Sequence, residues 1–251
     1  MQTKTKQQLK SMAAGGRVAC QILAEVIKAA RPGITTLELD QMADQMMVEA
    51  GVEAGFKKVA GYSHATCINI GADIVHGIPD SYEIKSGDLV SIDLGVYHQG
   101  LHTDCAWTIQ VASQSQAQFL AAGKQALLSG IAQAVSANKV GDISQAIQNI
   151  IEEQAGYHVV RELVGHGVGS QLHEDPQVPG YGRAGRGEQL ANGATLAIEV
   201  IYSQGKTPAI FKNKDGWTIT TADASLSGLF EETIVVWEGQ PKILTPTHQY
   251  L

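Results

Sequence analysis

The chain has 251 residues and a formal net charge of −7, with 44% hydrophobic and 17% charged side chains. This acidic balance excludes the basic surface that nucleic acids and anionic lipids require, so we expect no nucleic-acid or membrane partner. No run approaches the roughly 18 consecutive apolar residues of a membrane span, and the first ten residues lack the apolar segment of a signal peptide.

The cysteines carry information about the compartment. Cys20, Cys67 and Cys105 form no CxxC pair and leave an odd count. We therefore expect no disulfide framework, and we interpret each thiol as a small buried hydrophobe. Without a leader segment or disulfides, the chain is predicted to be cytoplasmic, and we expect a monomer.

Each half of the chain is predicted to begin with two helices, and the first helix of one half has a counterpart in the other. The first helix runs from residues 14–17, which include two glycines, to the Arg-Pro-Gly sequence at 31–33. Its counterpart runs from residues 122–124 to residues 139–141. A repeat of this kind indicates two related halves.

A second helix follows in each half. Thr35 or Thr36 can cap the first of these, because a threonine oxygen accepts the free N–H groups of a first helical turn. Asp142 or Ser144 can cap the other in the same way. Both helices end on an Ala-Gly pair, at 50–51 and at 155–156, and both carry apolar residues at helical spacing that indicate a core-facing stripe. The stripes are Leu39, Met42, Ala43, Met46 and Met47, and Ile143, Ile147, Ile150 and Ile151.

Strands follow the helices in both halves, again in one order. A His-Gly pair precedes an apolar strand that opens on glycine and carries an acid, and a second acid-bearing strand follows. No linker separates the halves, which span approximately residues 12–112 and 113–245. We predict one domain over residues 1–251, of the α+β class, with helices packed on antiparallel strands. The repeated pairs are His76 and His166, Asp93 and Glu199, and Asp104 and Glu231.

Asp93 and Glu199 are the most informative of these residues. An acid inside an apolar strand is costly unless a partner neutralises it. Because the same cost arises at matching positions of two halves, we infer one shared partner. A metal centre between the halves is the simplest candidate.

Asp93 and Asp104 are predicted to lie on the two strands of a hairpin. A two-residue turn at 98–99 or at 99–100 places Asp104 opposite residue 93 or 95, and in either register both acids project from one face. Two carboxylates so close strongly raise one pKa unless a cation holds them. The hairpin is therefore compatible with a metal site, and for this pair alone solvated surface acids are the alternative interpretation.

A glycine-rich segment adds His166 and His173 to the four strand acids. Of the adjacent pair Glu231 and Glu232, strand alternation favours Glu231 as the ligand only weakly. An oxygen-rich set with one imidazole suits Mn, Fe(II), Co or Zn. Four carboxylates exceed the need of one ion, which favours two divalent ions bridged by shared carboxylates.

With these residues assembled, the chain resembles the type I methionine aminopeptidases, a family of metallopeptidases with the pita-bread fold, from about residue 12 to residue 245. The resemblance implies two pseudo-symmetric halves whose helices pack on a curved antiparallel sheet. The motifs that carry it are VHGIPD at 75–80, SIDLG at 91–95, HTD at 102–104, GHGVG at 165–169, LHEDPQV at 172–178, AIE at 197–199, GWT at 216–218 and FEETIVV at 230–236.

The resemblance implies an enzyme that removes the initiator methionine from proteins and peptides with a small second residue, using a metal-activated water. Its partners are then the N termini of nascent proteins and peptides, and its cofactors two divalent ions (Co, Mn, Fe(II) or Zn). The implied metal ligands are Asp93, Asp104, His166, Glu199 and Glu231, with Asp104 and Glu231 bridging the ions.

The resemblance also implies roles for other residues. His173 hydrogen-bonds the scissile carbonyl and its developing oxyanion, His76 contacts the substrate near the scissile amide, and Glu199 moves a proton of the water. The residues that line or border the methionine pocket are Tyr62, Cys67 and Trp217.

Three departures and two alternatives accompany the resemblance. Gly71 and Asp73 replace residues that bind an auxiliary monovalent cation in many bacterial members. Val200 stands where the family usually has proline after the glutamate, and residues 56–62 depart from the usual aromatic and glycine wall of the pocket. The alternative enzyme is a proline-directed aminopeptidase of the same fold, although those usually carry an N-terminal domain. The other alternative is a non-catalytic binding protein on this scaffold, although such relatives have lost ligands.

Overall fold

The structure is a computed structural model and describes residues 1–205 and 210–251. No helix within these residues is both long and apolar enough to cross a membrane. The α-helices are α1 (Lys6–Ala29), α2 (Thr36–Glu49), α3 (Ala117–Ala132) and α4 (Val140–Gln148). The strands of the first half are β1 (Glu53–Ala54), β2 (Thr66–Ile70), β3 (Asp73–Val75), β4 (Leu89–His98) and β5 (Leu101–Gln110). Those of the second half are β6 (His158–Val159), β7 (Gly165–Gly167), β8 (Glu174–Val178), β9 (Thr195–Ser203), β10 (Ile210–Lys212), β11 (Ile219–Thr221), β12 (Ser227–Val235) and β13 (Lys242–Ile243).

Helix α1 begins well before the predicted start at residue 14. Its N-cap is Thr5, whose hydroxyl accepts the Gln8 N–H at 3.2 Å while the Gln8 side chain accepts the Thr5 N–H at 2.9 Å. The two glycines lie inside the helix, where a Cβ on Gly16 would collide with the Leu244 carbonyl. They permit close packing and do not mark a helix start, so the predicted start was wrong.

Helix α3 also differs from its predicted span, because it begins at Ala117 and ends at Ala132. Gly123 lies in its interior, where a Cβ would come within 2.5 Å of the Phe230 ring. As in α1, a glycine that looked like a boundary is a packing position.

The second helices agree better with the sequence. Thr35 is the N-cap of α2, which resolves the choice between two threonines, and α2 ends beside residue 50 as predicted. The N-cap of α4 is Lys139, so neither Asp142 nor Ser144 has that role. Asp142 instead accepts the Lys139 N–H at 2.8 Å from inside the first turn. The helix continues as a π-helical turn and ends beside residue 155, as predicted.

One large antiparallel sheet spans both halves of the chain, in the order β1-β4-β5-β12-β9-β7-β8. Strands β2, β6 and β13 pair with β4, β9 and β12, and a separate small sheet has the order β10-β11-β3. The first half joins the second where β5 pairs with β12. The predicted α+β class, with helices on antiparallel strands, is confirmed.

The β4–β5 hairpin decides between the two predicted registers. His98 pairs with Leu101, so the turn is at Gln99 and Gly100, and Asp104 lies opposite Gly95. Both turn residues have positive φ, 52° and 84°, as the two-residue turns that match strand twist require. Asp93 and Asp104 therefore share one face of the sheet.

The opposite face of the hairpin packs on the helices. The alternate β4 residues Val90, Ile92, Leu94 and Val96 are fully buried, in one apolar core with α1 side chains such as Leu23. This alternation confirms the predicted apolar face. The three cysteines are buried free thiols, as predicted.

Candidate metal centre

The sheet aligns three of the predicted ligands in one row across four strands. Asp93 on β4 pairs with Ala106 on β5, and Ala106 pairs with Glu231 on β12. Glu231 in turn pairs with Glu199 on β9. Paired residues stand about 4.5–5.5 Å apart and point to the same face of the sheet. The row therefore presents three carboxylates and one small alanine side chain on that face.

The remaining two predicted ligands lie in the neighbouring row. Asp104 on β5 is tied to Thr233 on β12, whose hydroxyl accepts the Asp104 N–H at 2.9 Å and donates to its carbonyl at 2.8 Å. Thr233 pairs with Ala197 on β9, and Ala197 pairs with His166 on β7. Gly95, opposite Asp104, leaves room beside the carboxylate.

Three residues of the cluster are close enough together that they could hold one metal ion. Asp104, His166 and Glu231 each present one ligand atom, and these three atoms lie within 4.8 Å of one another. The Nε2 atom of His166 lies 3.4 Å from Oε1 of Glu199. The Nδ1 atom of His166 lies 2.8 Å from the Gly167 carbonyl, and this contact orients the ring so that Nε2 faces the acids.

Three carboxylate oxygens of the cluster fit a cation because they have no other partner. Oδ1 of Asp93, Oδ1 of Asp104 and Oε1 of Glu231 are buried, and none accepts a hydrogen bond within the described part of the chain. Buried acceptors are nearly always satisfied in folded proteins, and an unpaired buried carboxylate is costly. Oxygen atoms with one imidazole suit Mn, Fe(II), Co or Zn.

The pKa values of the cluster agree with this fit. Burial raises the pKa of Asp104 to about 7. Burial, followed by the charges of neighbouring acids, raises the pKa values of Asp93, Glu199 and Glu231 well above their ordinary values. Burial also lowers the pKa of His166 to about 4, so its ring is neutral near pH 7 and able to bind a cation.

His173 and His76 lie at the same cavity as the acids. The His173 ring packs edge-on against His166, with centroids 4.4 Å apart, and it is exposed to solvent. His76 precedes Gly77 and adopts a left-handed backbone with φ of 58°. Desolvation lowers the pKa of both rings, so each is a neutral hydrogen-bonding group near pH 7.

An apolar wall completes the cavity, whose volume is about 220 Å³. Tyr62 is held by a 2.7 Å hydrogen bond from its hydroxyl to the Thr66 carbonyl, and it packs edge-on against Trp217 at 5.1 Å. The apolar wall consists of Phe56, Val59, Tyr62, Cys67, Leu172 and Trp217.

Sequence reasoning placed Tyr62, Cys67 and Trp217 at this wall and associated residues 56–62 with it, but it did not assign Leu172 to it. Leu172 directly precedes His173, and that adjacency was the available signal. Val200, which stands where the family usually has proline, does not interrupt β9, because it pairs with Phe230 within an unbroken ladder.

A comparison with protein families decides the relationship. The model of the metallopeptidase family M24 matches residues 10–238. The chain belongs to this family. It is 38% identical over 244 residues to a methionine aminopeptidase of Clostridium perfringens, covering 96% of this chain and 97% of the relative. It is 39% identical over 248 residues to methionine aminopeptidase 1 of Bacillus subtilis, covering 96% of this chain and 98% of the relative.

Solved structures agree on the fold. The methionine aminopeptidase of Thermotoga maritima superposes with a TM-score of 0.94 at 36% identity, covering 98% of this chain and 99% of that one. A prolidase of Pyrococcus furiosus shares the fold at a TM-score of 0.74 and 21% identity, and this chain covers 65% of that chain. The predicted pita-bread fold is confirmed.

Proposed function

We propose that the chain is a metal-dependent methionyl aminopeptidase, which removes the N-terminal methionine from proteins and peptides with a small second residue. The observation that carries this proposal is the juxtaposition of unpartnered buried carboxylates with an apolar cavity. The cluster supplies hydrolytic chemistry, and the cavity accepts an apolar side chain. The relatives that match over nearly the whole chain are named as methionine aminopeptidases, which supports the same substrate.

The proposed ligands come from both rows of the sheet. Bound there, two divalent ions (Co, Mn, Fe(II) or Zn) supply Lewis acidity and a water nucleophile that ionises near neutral pH. Asp104 and Glu231 would hold the ions together with His166, since one ligand atom of each lies within 4.8 Å of the others. The full ligand set is Asp93, Asp104, His166, Glu199 and Glu231.

Three side chains are proposed to act on the substrate. Glu199 takes the proton of the attacking water, because its carboxylate lies within the ligand cluster, with Oε1 3.4 Å from Nε2 of His166. The neutral ring of His173 donates a hydrogen bond to the scissile carbonyl oxygen and to the oxyanion that develops there. His76 contacts the substrate near the scissile amide.

The methionine side chain is proposed to lie against Tyr62, Cys67 and Trp217. Such a wall can bury an unbranched apolar side chain, and Cys67 is part of it. The preference for a small second residue is proposed because the resemblance to the methionine aminopeptidases implies it.

The test is cleavage of Met-Gly-Met and Met-Ala-Ser peptides by protein that has been stripped with a chelator and reloaded with each divalent metal. We expect release of methionine only after metal addition. Asp104→Asn should abolish cleavage while the fold persists, and the matched control Asp223→Asn, at an exposed position, should not. Cleavage of Xaa-Pro peptides in preference to these would contradict the proposal, as would failure with every divalent metal.

The proposed setting is the cytoplasm, where nascent N termini emerge. The three cysteines are buried as free thiols, which is compatible with a reducing compartment. We further propose that the chain acts as a monomer and that both halves form one catalytic unit, because the proposed ligands come from both.

A further inference from the structure

Asn69 is a buried amide beside the cavity that has no role in the chemistry proposed above. It lies on β2, two residues after Cys67 and therefore on the same face, and it pairs with Ser91 on β4. Its side chain is 1% exposed. Oδ1 of Asn69 accepts the N–H of Gly77 at 2.8 Å, whereas Nδ2 has no partner in residues 1–205 and 210–251.

Both backbone groups of Gly77 are hydrogen-bonded to β2. Its N–H donates to Asn69, and its carbonyl accepts the Ile68 N–H at 3.0 Å. A Cβ on Gly77 would collide with the Ile68 carbonyl and come within 2.9 Å of the Asn69 oxygen. This close approach between the turn and the strand sets the path of the chain immediately after His76.

His76 itself has an unfavourable backbone. Its φ of 58° is in the left-handed region, which a side chain with a Cβ rarely adopts and which persists only when the surroundings enforce it. Thr218, just before β11, donates to the His76 carbonyl at 3.4 Å, so contacts from two elements hold this residue. His76 lines the same cavity as the acids of the cluster.

We propose that Asn69 is a positioning residue, whose amide oxygen holds the Gly77 N–H and thereby keeps His76 in the left-handed conformation that places its ring in the substrate cavity. This rests on the proposed function in one respect, the contact of His76 with the substrate. Without the acceptor, the buried Gly77 N–H is unpaired, and the turn relaxes toward negative φ. Relaxation rotates the Cα–Cβ bond of His76 and moves its ring away from the substrate.

Two variants separate the acceptor from the bulk of the side chain. Asn69→Leu keeps the volume and removes the acceptor. Asn69→Asp keeps an acceptor oxygen and replaces the unpartnered amino group with a second oxygen, and burial favours the neutral form of the new carboxyl. We expect Asn69→Leu to lower kcat/KM for Met-Ala-Ser by about 10- to 100-fold, the size of a misplacement effect. Asn69→Asp should retain most of the wild-type value below the pH at which its buried carboxyl ionises. If Asn69→Leu does not fold, Asn69→Ala replaces it.

A double-mutant cycle distinguishes positioning from simple structural support. In a His76→Ala background, Asn69→Leu should cause no further loss of kcat/KM, because its effect passes through the His76 ring. Metal affinity measured by calorimetry should stay at the wild-type value. The matched control is Asn138→Ala, which removes a partly buried amide that donates to the Gln133 carbonyl after α3, and it should leave kcat/KM unchanged.

An equal loss in both backgrounds would overturn the proposal, as would a parallel fall in metal affinity. A crystal structure of Asn69→Leu provides a readout that needs no activity. A φ at residue 76 that becomes negative supports positioning, and a φ that stays near 58° overturns it. Failure of the proposed function is separate, since it appears as a wild-type protein that cleaves no Met-Ala-Ser with any metal.

Discussion

Two adjacent glutamates on β12 have different surroundings although both are almost fully buried. Glu232 is satisfied, because its oxygens accept the Thr245 hydroxyl at 2.7 Å and the Thr247 N–H at 2.9 Å. It thereby fastens the C-terminal segment to the sheet. Oε1 of Glu231 has no such partner and faces Asp104 and His166. Burial alone does not distinguish a structural acid from a ligand, but the available partners do.

Replacing each glutamate with glutamine is therefore expected to have a different effect. Glu231→Gln should remove most metal affinity and activity while the fold persists. Glu232→Gln should keep metal binding but lose about 1–3 kcal/mol of unfolding free energy, because a buried hydrogen bond to the C-terminal segment is lost. Calorimetric titration with Mn²⁺ and urea unfolding measure the two effects. Normal metal binding by Glu231→Gln would show that the ligand assignment is wrong.

Asp104 gives a pH prediction for the metal-free protein. Its pKa is raised to about 7 in the folded state, from an ordinary value of 3.8. The folded state therefore holds a proton that the unfolded state releases, so this contribution to stability is present below about pH 4 and is lost as the pH rises through about 7. Asp104→Asn, which carries no such charge, should stabilise the metal-free protein more at pH 8 than at pH 6.5.

Urea unfolding of both proteins in chelator measures this difference. Desolvation lowers the pKa values of His76, His166 and His173, so these rings stay neutral in the folded state across this range in both proteins. An Asp104→Asn benefit that shrinks as the pH rises would contradict the raised pKa.

At the scale of elements, the segment before α1 is fastened to the loop that carries His173. Lys4 Nζ lies 2.8 Å from Oε2 of Glu174, and the two side chains are only 4% and 6% exposed. The other oxygen of Glu174 accepts the Ser170 hydroxyl at 3.0 Å and the Gln171 N–H at 3.2 Å. The ion pair and these bonds close the loop directly beside His173.

Lys4→Met should therefore destabilise the protein by about 3–5 kcal/mol, because it leaves the Glu174 charge buried and unpaired. The added substitution Glu174→Gln should recover part of the loss. The matched control is Lys28→Met. Lys28 pairs with Glu25, but more than half of the lysine side chain is exposed, so we expect the free energy of unfolding to change by less than about 1 kcal/mol. Urea unfolding compares the variants, and equal effects at residues 4 and 28 would contradict the argument.

At the scale of the whole molecule, the cluster exists only because the two halves share a sheet. Asp93 and Asp104 come from the first half, and the other proposed ligands come from the second, with the β5–β12 pairing between them. A metal bound there connects both halves. Its binding energy therefore adds to the stability of the whole sheet and not to one half.

Calorimetric melting should accordingly show one transition that moves upward as a whole when metal is added. A metal at 100 times its Kd stabilises a folded protein by about 2.7 kcal/mol. Two transitions, of which metal shifts only one, would show that the halves unfold independently and would contradict the proposed single unit.

The structural features that could be predicted from the sequence are those that depend on contacts within one short segment. Strand alternation placed Asp93 and Asp104 on one face, and the confirmed cap at Thr35 follows from a side chain that bonds to its own first turn. Helix starts were less predictable. Gly16 and Gly123 read as boundaries, yet each accommodates a distant group, the Leu244 carbonyl or the Phe230 ring. Contacts of this kind leave no local pattern.

By itself the sequence determined the α+β class, the acids on alternating strand positions and the family of the chain, because period-two alternation and spaced motifs are properties of short segments. Only the tertiary structure decided which acids meet, since the pairing of β12 with both β5 and β9 brings residues from the two halves into adjacent rows. Within the residues that the structure describes, Oε1 of Glu231 has no hydrogen-bond partner, whereas Glu232 accepts from Thr245 and Thr247. Whether a buried carboxylate has a hydrogen-bond partner depends on the assembled sheet. This difference distinguishes the proposed ligand Glu231 from the structural residue Glu232, which the sequence alone does not do.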